Sequence, residues 1–382
     1  MMRIIYILIF FFGVSSTAQT ALYNSGNIKI HADGKLGFHT NLINDAAFDE
    51  NEGLTGFYGN NQLIVSGALS PTFFDTEIAN ASGVFLQTGI NNLNNTNFVI
   101  GDFMTPRDQP DAYYSFLQNA FYVGDSDISK IDGYASVSNQ QNFTFPIGDL
   151  AQLRPLVLNS QGVNLLAYSA YFFEDPNSPN SINETFNTSL KSPEITAISS
   201  TEFWRLGGDT LSTISISWND RSGLTTIATD LNEIIIVGWH KASQQWVNLA
   251  GSSAVGDLNQ GFTTSLTFIP DDYGALTFGS VGEAQEYVEL DNFYVSVNSD
   301  GINDTFVIPE LDQSPNNHLQ IYNRYGQKVF DQINYTDQFR GFSNVDNFVI
   351  GRQNGLPKGV YFYIVTMEDL NLDFQGFLYL TR

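Results

Sequence analysis

Cysteine is missing from all 382 residues. That excludes disulfides, thiolate metal sites, a cysteine nucleophile and a lipid-modified cysteine at a mature N-terminus. Stability has to come from packing. Positive charge is scarce: 16 Lys and Arg face 40 Asp and Glu, a formal charge of −24. Such a surface repels phosphate backbones and anionic lipid headgroups, so no nucleic-acid partner is expected. The four histidines, His31, His39, His240 and His318, are scattered and lack metal-ligand spacing. Missing too are a Gly-x-Ser-x-Gly elbow, a phosphate loop and a dinucleotide fingerprint. Adjacent Asp271 and Asp272 read as a solvated turn, because neighbouring carboxylates in a strand point to opposite faces. These absences predict a protein that is not an enzyme.

Long hydrophobic runs are also wanting. The longest, Ile4 to Phe12, follows Arg3 and precedes small residues ending at Ser16-Thr17-Ala18. It falls short of the ~20 apolar residues that span a bilayer. This pattern reads as a secretory signal peptide over 1–18, cleaved between Ala18 and Gln19. No later stretch predicts a membrane span.

Aromatic residues are abundant, with 31 Phe and 18 Tyr. Short apolar runs alternate with Asn, Gly, Asp and Ser clusters, and no long amphipathic helix stands out. The prediction is an all-β, multi-domain chain, at roughly one domain per 100–200 residues. Residues 19–150 carry short strands near 28–30, 63–65, 84–86 and 98–100, suiting a β-solenoid or a sandwich. Within them, Asn91 to Asn97 reads as an exposed loop, with stacked Asn residues as the alternative. Residues 151–283 predict an immunoglobulin-like β-sandwich. There, Ile214, Ile216 and Trp218 alternate with Thr213, Ser215 and Ser217, which are expected to face water. Ile234 to Val237 predicts a strand buried on both faces. Glu174 to Asn187 reads as a surface loop. All four Trp residues fall in this region, as core packing or, alternatively, a platform for stacking sugars. Phe145-Pro146-Ile147-Gly148-Asp149, Arg154-Pro155-Leu156 and the Phe203-Trp204 strand together resemble exported proteins of the Bacteroidetes. Asp209-Thr210-Leu211 resembles that phylum's O-glycosylation motif; a strand-edge turn explains it equally well.

Residues 287–382 carry four ordered blocks. They are Asn298-Ser299-Asp300-Gly301-Ile302-Asn303-Asp304-Thr305-Phe306, Ile321-Tyr322-Asn323-Arg324-Tyr325-Gly326-Gln327-Lys328-Val329-Phe330, Leu356-Pro357-Lys358-Gly359-Val360-Tyr361-Phe362-Tyr363 and Gly376-Phe377-Leu378-Tyr379-Leu380-Thr381-Arg382. The segment resembles the gliding motility-associated C-terminal domain, the type B sorting domain of the type IX secretion system. Two departures are visible: the Pro and first Gly of the family's Ser-Pro-Asn-Gly-Asp-Gly are missing around Ser296 to Gly301. Phe339-Arg340-Gly341 also stands for the family's Trp-Asp-Gly. The resemblance implies delivery to the cell surface through the type IX translocon and a PorP/SprF-type outer-membrane protein, with a larger gliding adhesin as a further partner. It implies a companion or structural subunit of gliding or adhesion machinery. A secreted carbohydrate-binding or adhesive module is the alternative.

Independently of that resemblance, two hairpins are predicted, turning at Tyr325-Gly326 and across 368–375, in a small β-sandwich. The final strand is expected to form an open edge for recognition by sheet extension. Asn298, Asp300, Asn303 and Asp304 offer oxygens that suit Ca²⁺. Ser296 and Val307 break an EF-hand spacing, so an Asx turn bonding its own backbone is the preferred reading and no cofactor is otherwise expected. The Asp102 to Asp111 stretch reads as a loop, and Arg324 as pairing with a carboxylate inside the sandwich.

Overall fold

A computed structural model describes residues 20–251, 253–281, 293–298, 300–309, 311, 314–345, 355–368 and 372–381. The expected signal peptide, with Ala18 and Gln19, lies outside them, as does Ser299. The described chain is all-β, its helical content limited to short 3₁₀ turns. Among the described residues no helix is long and apolar enough to cross a membrane.

Residues 21–148 wind into a parallel β-solenoid with three faces. Partners such as Leu54↔Asp75, Thr76↔Thr96 and Leu63↔Val84 show the chain returning to the same face about every 20 residues. Inward positions carry large apolar side chains, and their rings stack from rung to rung. Phe38 meets Phe57 at 5.2 Å, Phe57 meets Phe103 at 5.6 Å and Phe103 meets Tyr114 at 4.6 Å. Much of the aromatic excess is this internal column. Asn91 to Asn97 is not an exposed loop: it supplies parts of two strands, Ile90–Asn92 and Asn95–Ile100. Asn92 is wholly buried and donates to the Thr76 hydroxyl at 2.9 Å and to the Asn95 carbonyl at 3.2 Å.

Near residue 140 the pairing changes from parallel to antiparallel, but the sheet does not stop. The 135–138 strand pairs in parallel with 114–117 and antiparallel with 167–172, giving one ten-stranded sheet. A five-stranded sheet built on Leu156–Asn164 and Ser212–Trp218 covers it, and one apolar cluster runs from Ile30 to Phe278. Solenoid and sandwich therefore share a core across residue 150. Arg154, 3 % exposed, locks the junction by donating to both Glu202 oxygens (2.7 and 2.8 Å) and to Ser222 (2.9 Å). Tyr171 donates to the same carboxylate at 2.5 Å. Burial, followed by Glu202, raises the Tyr171 hydroxyl well above its ordinary pKa, so it stays a donor. The residues that carried the Bacteroidetes resemblance form this junction. Phe186, from the expected surface loop, is buried against Phe203, Trp239 and Trp246.

Candidate functional site

The C-terminal unit is one five-stranded sheet in the order 293–296, 372–381, 359–367, 317–323, 328–333. Both predicted hairpins are present, 317–323 with 328–333 and 359–367 with 372–381. One face is covered by loop residues instead of a second described sheet: Phe306, Ile308, Leu311, Tyr335, Phe339 and Leu356 seal it. Tyr335, which no sequence motif marked, ties those loops together. Its hydroxyl donates to the Phe306 carbonyl at 2.5 Å and accepts the Phe339 N–H at 3.2 Å.

Over its last four described residues the final strand is not an edge. Strand 293–296 lies parallel beside it, Phe293↔Leu378 through Ser296↔Thr381, and satisfies the outer backbone groups of 378–381. Strands 293–296 and 328–333 are the outermost of the described sheet.

The motif residues shape turns and close approaches. Asn323 organises the hairpin turn: its Oδ1 accepts the N–H groups of Tyr325 (3.0 Å) and Gln327 (3.1 Å), and its carbonyl accepts from Gly326 (3.0 Å). Gly326 has φ +79°, and a Cβ there would stand 3.0 Å from the Phe262 ring. Gly376 lies under Tyr363, its cross-strand partner, at 2.7 Å from where a Cβ would be. Gly359 opens its strand, and Tyr361, buried, donates to the Pro357 carbonyl at 2.8 Å. Arg324 does not enter the interior. It is exposed and lies over Tyr325, 4.7 Å from the ring centre, beside the solenoid's Asp125.

The second face of the sheet docks on the solenoid and sandwich. Phe262 meets Tyr322 at 4.9 Å and Phe362 at 5.3 Å, and Phe362 meets Phe377 at 5.2 Å, with Val255 completing the cluster. Phe262 is paired directly with Ser217, so both lie on the same sheet face. This explains why Ser215 and Ser217, expected in water, are buried (3 % and 4 % exposed). Burial raises Asp125 to about 6 despite the opposing pull of Arg324.

In the acidic loop, the carboxylate and amide oxygens serve the loop's own backbone. Asn298 Oδ1 accepts from Asp300 N–H at 3.2 Å, Asp300 Oδ1 from Ile302 at 2.8 Å and Asp304 Oδ2 from Gly301 at 2.8 Å. Asn303 adopts φ +54° and gives its carbonyl to Ser296 at 2.8 Å. Among the described residues no group of three or more His, Asp or Glu gathers as a metal site would need. Asp102 proves to be half of a buried ion pair with Lys130 (3.1 Å), whose side chain is fully enclosed. Asp271 sits in a 3₁₀ turn and accepts the Gly208 N–H at 2.8 Å. All four Trp residues are core residues, at most 6 % exposed, which removes the tryptophan stacking platform. The solenoid carries a cleft of about 470 Å³ lined by Glu52, Asp75, Glu77, Asn95 and Asn97. Asn97 donates to Glu77 at 2.7 Å there, and Tyr58 to the same carboxylate at 2.9 Å.

Residues 288–380 match the family model described as the CHU_C Type IX secretion signal domain. No curated protein and no solved structure matches the chain. The C-terminal sheet is thus a type IX secretion signal of the type B sorting kind. The chain is cargo of that system, exported to the cell surface or secreted.

Proposed function

Taking that export signal as the premise, we propose that the protein is a non-enzymatic surface component, a companion or structural subunit of gliding or adhesion machinery. It is handed on by a PorP/SprF-type outer-membrane protein and acts beside a larger adhesin. The observation that carries this reading is the build of the cargo: a solenoid and sandwich fused through one core, with buried ion pairs such as Lys130–Asp102 and Arg154–Glu202 serving the packing. A continuously packed body of this kind suits a spacer or docking subunit better than a catalyst, which needs convergent, solvent-reached groups. No cofactor has a role in this reading. The test is a strain lacking the protein. It should lose surface spreading or attachment, keep its extracellular hydrolytic activities, and recover on supply of the full chain; an unchanged attachment phenotype rejects the companion role.

The carbohydrate-binding alternative keeps one observation, the Asp75–Glu77–Asn97 cleft on the solenoid. Calorimetry of the full chain with neutral polysaccharides tests it, and Glu77→Ala should abolish any heat of binding found.

A further inference from the structure

Strand 293–296 is the edge of the signal domain's sheet that recognition by sheet extension requires. Val297 donates its N–H to Thr381 of the neighbouring strand at 3.0 Å, whereas Ser296 donates outward to Asn303 at 2.8 Å. Alternate residues of a parallel strand turn their backbone groups to opposite sides. Tyr294, two residues before Ser296, therefore directs its N–H and carbonyl away from the sheet. Beside it lies a cleft of about 260 Å³ between this strand and residues 301–307, lined by Phe293, Val295, Phe306 and Val307.

Exposed apolar side chains flank this edge on both faces of the sheet. Tyr294 is 54 % exposed, Ile302 68 %, Val307 46 % and Tyr379 46 %. The rings of Tyr294 and Tyr379 stack across the parallel pair, 5.9 Å apart and 14° from coplanar. On a chain of charge −24, exposed apolar side chains next to the outward-facing backbone of Tyr294 mark an interaction surface. The rest of the domain offers less: one face is sealed by loops, the other is docked on Phe262, and the opposite outer strand has its Asp331 N–H bonded to Asn344 at 2.9 Å. Asp304 lines the cleft and, with nearby Asp300, sets the complementary charge.

We propose that an extended segment of an export-machinery protein adds to this sheet as a further strand along Phe293–Ser296. Its apolar side chains seat in the cleft, and a Lys or Arg lies beside Asp300 and Asp304. The proposal rests on the export reading above and names the surface that reading uses. Backbone pairing supplies the affinity, while the tyrosine pair and the cleft supply the selectivity.

The test uses the full chain in exporting cells. Tyr294→Pro removes the outward N–H and spares the ladder to 372–381, because that N–H takes no part in it. It should lower the surface-delivered fraction by about tenfold, with the protein held folded in the periplasm. Val307→p-benzoylphenylalanine, irradiated during export, should cross-link to an export protein. Deletion of 287–382 is the reference. If the deletion itself still reaches the surface, the export reading fails. If the deletion is retained but Tyr294→Pro is delivered normally, or Val307 cross-links only to a second copy, the edge proposal is overturned. Should Tyr294→Pro lower the melting temperature markedly, the Val307 cross-link decides.

Discussion

Lys130 has no exposed side-chain surface, and its ammonium contacts both Asp102 oxygens and the Asp127 carbonyl. Removing one partner of such a pair strands the other in low dielectric, so Lys130→Met should destabilise by about 3–5 kcal/mol. Asp102→Leu combined with Lys130→Met should recover most of that loss, as urea unfolding will measure. Burial, offset by Lys130, raises Asp102 to about 6, and Asp125 rises similarly. Between about pH 4 and 6 the folded state therefore binds protons that the unfolded chain does not. For these groups stability is full below that window and falls as pH rises through 6. Asp149 works in the opposite sense: burial pushes it up, but Arg221 and nearby amides outweigh this and hold it low. Its contribution is present above the ordinary carboxylate range and lost on acidification. Stability should therefore rise from pH 7 to pH 5 and drop below pH 4, and Asp102→Asn should flatten the upper slope. None of these pairings was legible in the sequence, because the partners stand 28 to 72 positions apart. The tryptophans were easier. Their place among apolar strand residues marked core packing.

At the scale of elements, strand alternation located Ser212–Trp218, and the continuous apolar run located Ile234–His240, buried at all but its last residue. What alternation leaves open is which face meets water, since that depends on what packs later. Ser215 and Ser217 are buried by a domain far along the chain. The solenoid stayed undecided against a sandwich because its rungs differ in length. Asn95↔Phe121 and Phe103↔Ile131 span more residues than Thr76↔Thr96, so no fixed period shows. In the signal domain the motif blocks were legible as turns, whereas the parallel strand 293–296 was not. Its pairing across more than 80 residues has no local signature. Gly376 offers a test at this scale. Gly376→Val drives a side chain into the Tyr363 ring and should cost about 1–3 kcal/mol, lowering the melting temperature of the C-terminal unit.

Taken as a whole, the molecule is a solenoid and sandwich with the export signal packed against them. Phe262 is the central contact between them and the signal. Phe262→Asp would bury an unpaired charge against Tyr322 and Phe362. The contact should open, raising the radius of gyration in small-angle scattering while the circular dichroism of strand stays unchanged. The claim beneath all of this is that residues 287–382 are what deliver the chain. The direct measurement is the surface-exposed fraction of a chain ending at 286, carrying Phe262→Ser so that the uncovered patch stays soluble. It should accumulate in the periplasm with its solenoid and sandwich folded; arrival at the surface in full-length amounts would contradict the account.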